Sequence, residues 1–461
     1  MPKIARERTE ENQRRIEAAA LQLFTSQGFH GTNNREIADK TGVSTGTIYT
    51  YFPSKEAIFA TLAGRYRSHL SEWHKNTLGC LKDPLSATGL QAVASAIRCE
   101  MYEQPEYFLL LLSDVIEFKN QHFLEVFHDV PQQLRRALGP QLQQVKQQPG
   151  WCGQDPAFVL ASVYLYFFTY FLMERHMQGE QHLGLPDEQA TERFIDLLSH
   201  GLWRGNRGPH DLDGHKALAQ ADLDRVEYLR FLSGRLWGLP PDVKPRANPA
   251  KPPILFLPQM PKQRMDENQL RIEAAALDLF TKQGFHGTNI RDIARKADVS
   301  QGAIYLYYAS KEAIFEGLVR SYRSSMRNFL QRVFAILEDP FSKNDLLLFA
   351  AAMRSLVYDD AEYWLLMYID VIEFRNRYFL AAFHDVPEQF RRLLGPVATS
   401  VKKQPGWCGQ DPALVMSIVY FYFHTYFVIE RLMHGSRHLG VADEVAMERF
   451  VEVLLHGLWQ N

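Results

Sequence analysis

The chain is written twice: at a constant offset of 256, Arg15 falls on Arg271, Gly28 on Gly284, Tyr49 on Tyr305, Trp151 on Trp407 and Trp203 on Trp459, with no insertion or deletion between the first and last pair. A repeat of this length decides the architecture before any motif is read, because each copy of about 190 residues must be a complete folding unit. Over 15–55 the copies differ at 12 of 41 positions; further on the likeness is looser but the register holds.

Between the copies, 204–264 has no counterpart and is predicted to be a linker. Its first part places Leu218, Leu223, Val226, Leu229, Leu232 and Leu236 at spacings of three to five, as an amphipathic helix does. After Leu239 come eight prolines, which forbid a helix. They favour an extended run of more than 20 residues that, at roughly 3.1 Å per residue, reaches about 60 Å.

With 46% hydrophobic residues in 461, the chain has material for several cores. Its net charge of −2 excludes a wholesale basic surface, so any nucleic-acid affinity has to be local. The cysteines (Cys80, Cys99, Cys152, Cys408) have neither disulfide-framework nor metal-ligand spacing, which fits a reducing compartment. The N-terminus is charged from its third residue and lacks the apolar core of a signal peptide, so a cytoplasmic location is expected. Residues 157–173 run 17 positions without a charge, at the lower limit for a spanning helix. Three tyrosines, Ser162 and Thr169 within that run, and His424 in its second copy, predict a buried bundle helix and no membrane partner.

In the first copy Ile16, Ala19, Ala20, Leu23 and Phe24 recur at helical spacing and stop at Gln27-Gly28, where glycine suits a helix end. Thr32 or Asn33 then caps a short helix carrying Ile37 and Ala38, which stops at Thr41-Gly42. Ser44 caps a third helix that ends at Pro53, and Ser54-Lys55-Glu56 starts a longer fourth. Two short helices joined by a three-residue turn are the helix-turn-helix pattern.

The run FTSQGFHGTNNREIADKTGVSTGTIYTYFPSKEAIF, and again FTKQGFHGTNIRDIARKADVSQGAIYLYYASKEAIF, resembles the DNA-binding domain of TetR-family (TetR/AcrR) transcription regulators. The likeness covers an extended pattern of glycines, caps and apolar positions in both copies, and the rest of each copy is similar to that family's helical ligand-binding domain. It implies an all-α fold with two such units joined in an intrachain pseudo-dimer. The expected domains are a helix-turn-helix head over 1–54, a helical ligand-binding and dimerisation domain over 55–203, the linker over 204–264, a second head over 265–310 and a second helical domain over 311–461.

The residues themselves suggest roles. Segments 1–55 and 257–311 each carry eight Lys or Arg against six Asp or Glu, a mild positive excess within a slightly negative chain. Helix N-termini present free amide donors to phosphate, which makes Thr32, Lys55, Thr288 and Lys311 candidate phosphate anchors, the threonines serving also as caps. The third helix is expected in the major groove with Thr45, Gly46, Thr47 and Tyr49 facing DNA in one copy, and Gln301, Gly302, Ala303 and Tyr305 in the other. Ile48 and Ile304 face inward. The family resemblance implies that Tyr49 and Tyr305 reach the sugar-phosphate backbone. Arg35 and Arg291 either reach phosphate or base or sit on a solvated face.

The aromatic residues after position 55 are expected to be mostly core. Candidates for a ligand pocket are Tyr102, Phe108, Asp114, Tyr166 and Tyr170, with Tyr358, Trp364, Asp370, Tyr422 and Tyr426. Asp114 and Asp370 lie between apolar neighbours (LLSDVIEF, MYIDVIEF), where a carboxylate needs a ligand group or a structural partner such as a tyrosine or arginine. His128-Asp129, His384-Asp385, His182 and His438 lack a metal-ligand pairing and read as caps or surface groups, so neither metal nor cofactor is expected. Nothing resembles GxSxG, HExxH or a Walker loop, so no enzymatic activity is expected. The last two helices of each copy, 155–179 with 187–203 and 411–435 with 443–459, are too apolar to stand alone and are expected to form a four-helix bundle. The family uses such a bundle to join two subunits. Here both partners lie in one chain at high effective concentration, and a monomeric chain follows.

The expected function is a ligand-responsive DNA-binding regulator, a repressor by family habit, released from double-stranded operator DNA by a small apolar or aromatic effector. The alternative is a ligand-binding or interaction protein in which one or both heads no longer bind DNA. In the second copy Ala303 and Leu306 replace Thr47 and Thr50, removing hydrogen-bonding groups.

Overall fold

The computed structural model describes residues 3–79, 81–176, 182–201, 267–380, 386–433 and 438–457. The expected linker over 204–264 lies outside them, as do Cys80, Trp203, His384, Asp385 and Trp459. The described residues form helices and turns, with no strand among them.

In the first unit α1 (Lys3–Gln27), α2 (Asn34–Thr41) and α3 (Thr45–Tyr51) make the reading head. The body contains α4 (Lys55–Thr77), α5 (Ala87–Glu103), α6 (Pro105–Phe118), α7 (Leu124–Phe127), α8 (Val130–Gln147), α9 (Pro156–His176) and α10 (Asp187–His200). The second head has α11 (Glu267–Gln283), α12 (Ile290–Ala297) and α13 (Gln301–Tyr307). Its body has α14 (Lys311–Ile336), α15 (Lys343–Asp359), α16 (Ala361–Phe374), α17 (Val386–Leu394), α18 (Pro396–Val401), α19 (Pro412–Leu432) and α20 (Asp443–His456). The two bodies differ at one joint: α8 kinks at Leu138, ahead of Pro140, whereas α17 and α18 separate at Gly395-Pro396. Proline removes a backbone donor and clashes with the preceding turn, and a left-handed glycine completes the break in the second unit.

Helices α9 and α19 are long and apolar enough to cross a membrane, yet 94% and 100% of their most apolar windows are buried within the protein. A helix that is apolar all round needs neighbours on every side. α9 packs on α5 and α8, α19 on α15 and α17, and the two pack on each other, while α10 meets α20. Four helices, two from each unit, therefore join the halves.

The join is reciprocal. Val130 N–H donates to His438 O at 2.8 Å, and Val386 N–H to His182 O at 3.2 Å, so each unit closes the start of the other's helix. His182 and His438 are buried beside Glu174 and Glu430. This corrects their reading as caps or surface groups, since their loops are covered by the opposite unit. Asp129 does cap α8, accepting Gln132 N–H at 3.2 Å. At the ends of α10 and α20 the backbones cross so closely that a Cβ on Gly201 would lie 2.5 Å from Gly457 N.

Candidate nucleic-acid interface

Each head is fixed by caps. Asn33, not Thr32, caps α2, with its side chain accepting Glu36 N–H and Glu36 returning a bond to Asn33 N–H. Such a reciprocal box satisfies two of the donors a helix start leaves open. Ser44 and Ser300 cap the reading helices α3 and α13, and Ser54 and Ser310 cap α4 and α14. Where the first head ends α2 with Gly42 at φ 67, the second uses Asp298 at φ 54. Arg271 holds that residue through Asp298 O at 3.1 Å and its carboxylate at 3.0 Å.

Burying Ile48 and Ile304 turns the opposite face of each reading helix outward. Tyr49 is 54% exposed and Tyr305 55%. Gly46, Gln301 and Gly302 are exposed, and Thr45, Thr47 and Ala303 half-buried on the same helices. Arg35 and Arg291 are exposed on the preceding helices, α2 and α12. A position the sequence argument left out of the reading set is Leu306, 83% exposed, with Thr50 as its counterpart. It stands four residues after Gly302, so helical spacing could have found it. The first head's threonines are less available than their chemistry suggests: Thr47 Oγ1 is 2.8 Å from Ser44 Oγ, and Thr50 donates to Gly46 O at 3.1 Å.

The four candidate phosphate anchors make contacts within their own heads in the absence of DNA. Thr32 and Thr288 are 1% exposed and donate their hydroxyls inward, to Gly28 O at 2.9 Å and Gly284 O at 2.8 Å. Lys55 Nζ donates to Phe29 O at 2.6 Å and Thr32 O at 2.7 Å and lies over the Phe29 ring. Lys311 repeats this with Phe285 O and Thr288 O, both at 2.6 Å. The tight turn after the first helix leaves carbonyls that the lysine satisfies, so these residues hold the head's shape.

Most of the expected ligand residues are also structural. Asp114 accepts His122 N–H at 2.9 Å and Phe123 N–H at 3.2 Å and pairs with the His122 ring at 2.6 Å. Asp370 accepts Tyr378 N–H at 2.9 Å and Phe379 N–H at 2.8 Å. Each carboxylate therefore holds the loop after its helix by accepting two of that loop's amides. Tyr102 and Tyr170 donate to Asp187, and Tyr358 and Tyr426 to Asp443, tying down the first turns of α10 and α20. Tyr166 stacks on Phe194 and Tyr422 on Phe450. These two tyrosines, with Ser162, Thr425 and His438, line a cavity of about 10 Å³ between the units, room for about one water.

Phe108 and Trp364 occupy equivalent places in the two bodies but not equivalent chemistry. Phe108 meets Phe168, whereas Trp364 meets His424 with ring centroids 4.2 Å apart. Trp364 Nε1 and both His424 ring nitrogens are buried without a hydrogen-bond partner. Burial pushes the His424 imidazole down to about 3, so it is neutral, with one ring nitrogen a potential donor and the other a potential acceptor. In the first body the polar pair is elsewhere, His74 Nε2 with Tyr164 Oη at 2.7 Å.

Residues 16–62 and 272–318 each match the family described as bacterial regulatory proteins, tetR family. The uncharacterized HTH-type transcriptional regulator YdgC of Bacillus subtilis is 33% identical over 84 residues, 18% of this chain and 42% of that protein. YvkB of the same organism, also named an HTH-type transcriptional regulator, is 25% identical over 196 residues, 41% of this chain and 96% of that protein. The chain thus spans less than half of one relative and nearly all of the other. Among solved structures, transcriptional regulator FadR from Bacillus subtilis in complex with stearoyl-CoA is 19% identical, covering 41% of this chain and 98% of that one, with a TM-score of 0.31.

Proposed function

We propose that this chain, in which residues 16–62 and 272–318 match the tetR family, is a helix-turn-helix repressor whose two heads grip one operator and release it when a small molecule enters a body. The observation that carries the reading is the pair of outward faces on α3 and α13, each held by a serine cap and a buried isoleucine and each presenting a tyrosine to solvent. Such a helix docks in a major groove, and a phenol at its side meets the backbone oxygens. The bodies join within one chain, so the dimer that operator symmetry requires forms without a second copy. The partners are double-stranded DNA in the cytoplasm and an aromatic effector that can exchange hydrogen bonds with Trp364 and His424. No catalytic role is proposed.

The test is fluorescence anisotropy of the full chain on duplex DNA, from the gene's upstream region, at rising salt. Affinity is expected to fall steeply as the gain from releasing condensed counterions shrinks. Tyr49→Phe with Tyr305→Phe is expected to weaken binding about tenfold by removing one backbone hydrogen bond at each head. Salt-insensitive binding, or none, would favour the alternative in which the heads have been retired. That reading draws on the second head, where Ala303 and Leu306 replace Thr47 and Thr50 and remove hydrogen-bonding groups.

A further inference from the structure

Where the two heads meet, they share a buried acidic junction. The turns 28–32 and 284–288 face each other: a Cβ on Gly31 would lie 3.0 Å from His286 Cβ, and one on Gly287 2.9 Å from His30 Cβ. Beneath them the ends of α6 and α16 pack together and against α1 and α11. These ends carry Glu117 and Glu373, each with a side chain only 3% exposed. A Cβ on Gly284 would touch both acids, Glu373 Oε1 at 2.7 Å and Glu117 Oε1 at 3.5 Å, so the carboxylates are neighbours across the join.

Their surroundings are unequal. Glu117 has an imidazole beside it, His30 Nε2 at 2.8 Å. Glu373 instead accepts Phe285 N–H at 3.0 Å and His286 N–H at 2.7 Å, with the His286 ring farther off at 3.7 Å. The other charged groups facing the cluster are Lys55 and Glu56 from α4, and Lys311 and Glu312 from α14. Both lysines are held by backbone carbonyls, as described above, and so are poorly placed to follow the acids.

We propose that Glu373 is a proton-operated latch: with a proton on its carboxyl the two acids coexist and the heads stay seated on the bodies and on each other, and on ionisation like charges loosen the 284–288 turn. The bearing on DNA, though not the latch itself, rests on the regulator reading. Burial and the Glu117 charge push the Glu373 carboxyl up to about 7, against the pull of the two amides and Lys311. A group raised in the closed state stabilises it fully below the ordinary value of 4.5, and that contribution is lost as pH rises through about 7. His30, raised by its bond to Glu117, acts in the same direction. His286, lowered by burial and Lys311, acts in the opposite one, resisting its own protonation below its ordinary 6.5.

Hydrogen exchange on the full chain without DNA, corrected for intrinsic chemistry, tests this from pH 5 to 8.5. Protection of the 284–288 amides, relative to α9, is expected to fall at least about tenfold by pH 7 and then level off. Glu373→Gln should keep the turn protected at every pH, and Glu117→Gln should shift the fall to lower pH and shrink it. A flat wild-type profile, or the same fall in Glu373→Gln, overturns the proposal. Should Glu373→Gln fail to fold, an unchanged profile in Glu117→Gln overturns it equally. Loss of the regulator reading would show instead as absent DNA binding with the exchange profile intact.

Discussion

Replacing Gly201 with alanine is expected to lower the stability of the whole chain by about 2–5 kcal/mol, because two costs fall on one methyl group. Gly201 sits at φ 73 and ψ −179, a conformation that side chains other than hydrogen hardly adopt. Its Cβ would also lie 2.5–2.6 Å from Gly457 N, His456 C and Leu455 O, all backbone atoms of the other unit that cannot swing aside. Gly457→Ala should behave alike, since its Cβ would meet His200 C at 2.6 Å and Ser199 O at 2.7 Å. Gly64→Ala is the control: a Cβ there meets nothing within 4 Å in the middle of α4, and alanine should add up to about 1 kcal/mol through helix propensity. Urea unfolding monitored by circular dichroism reads both. Equal midpoints for Gly201→Ala and wild type would mean that the two units do not cross where the structure places them.

Lys55→Ala is expected to destabilise the first reading head by about 2–4 kcal/mol in the absence of DNA, since it strands two carbonyls that a charged donor satisfies. The same holds for Lys311→Ala in the second head. The loss should be local: exchange protection falls across 28–33 while α9 keeps its own, because the lysine bonds only to the turn above it. A lysine that served phosphate alone would leave the free protein unaltered. Unchanged protection of 28–33 in Lys55→Ala would mean that the lysine does not hold this turn.

What could be read in the sequence was whatever is local or repeated. The offset of 256, the serine caps at 44, 54, 300 and 310, and the inward isoleucines at 48 and 304 need only neighbouring residues to be recognised. So does the apolarity of α9 and α19, which forced them to be covered. Misreadings cluster where the deciding partner is distant in sequence or belongs to the other copy. Lys55 looks like a free cation at a helix start until the turn 26 residues earlier closes over it. Asp114 is too costly to bury unpaired, and its protein partners are the amides and imidazole of its own following loop rather than a tyrosine or arginine. Nothing beside Gly201 in the sequence shows that it meets its twin at 457, a contact that adds a steric demand for glycine to the backbone one. Glu117 and Glu373 are likewise unmarked by their neighbouring sequence, because each is enclosed by elements from both units.

The two reading helices differ at places that face outward, which bears on the kind of DNA the chain selects. Gln301 can make a bidentate contact to adenine that Thr45 cannot, and Leu306 and Ala303 offer methyl groups where a thymine methyl would fit. Each good bidentate contact discriminates by about 1–3 kcal/mol, enough to make two half-sites distinguishable. The measurement that tests the whole account is therefore selection of bound duplexes from a random DNA pool by the full chain, with Gln301→Thr alongside. The expected result is an imperfect palindrome of two unlike half-sites at fixed spacing, one of which changes its preferred base in Gln301→Thr. A pool with no enriched motif, or a perfectly symmetric one indifferent to that substitution, would contradict it.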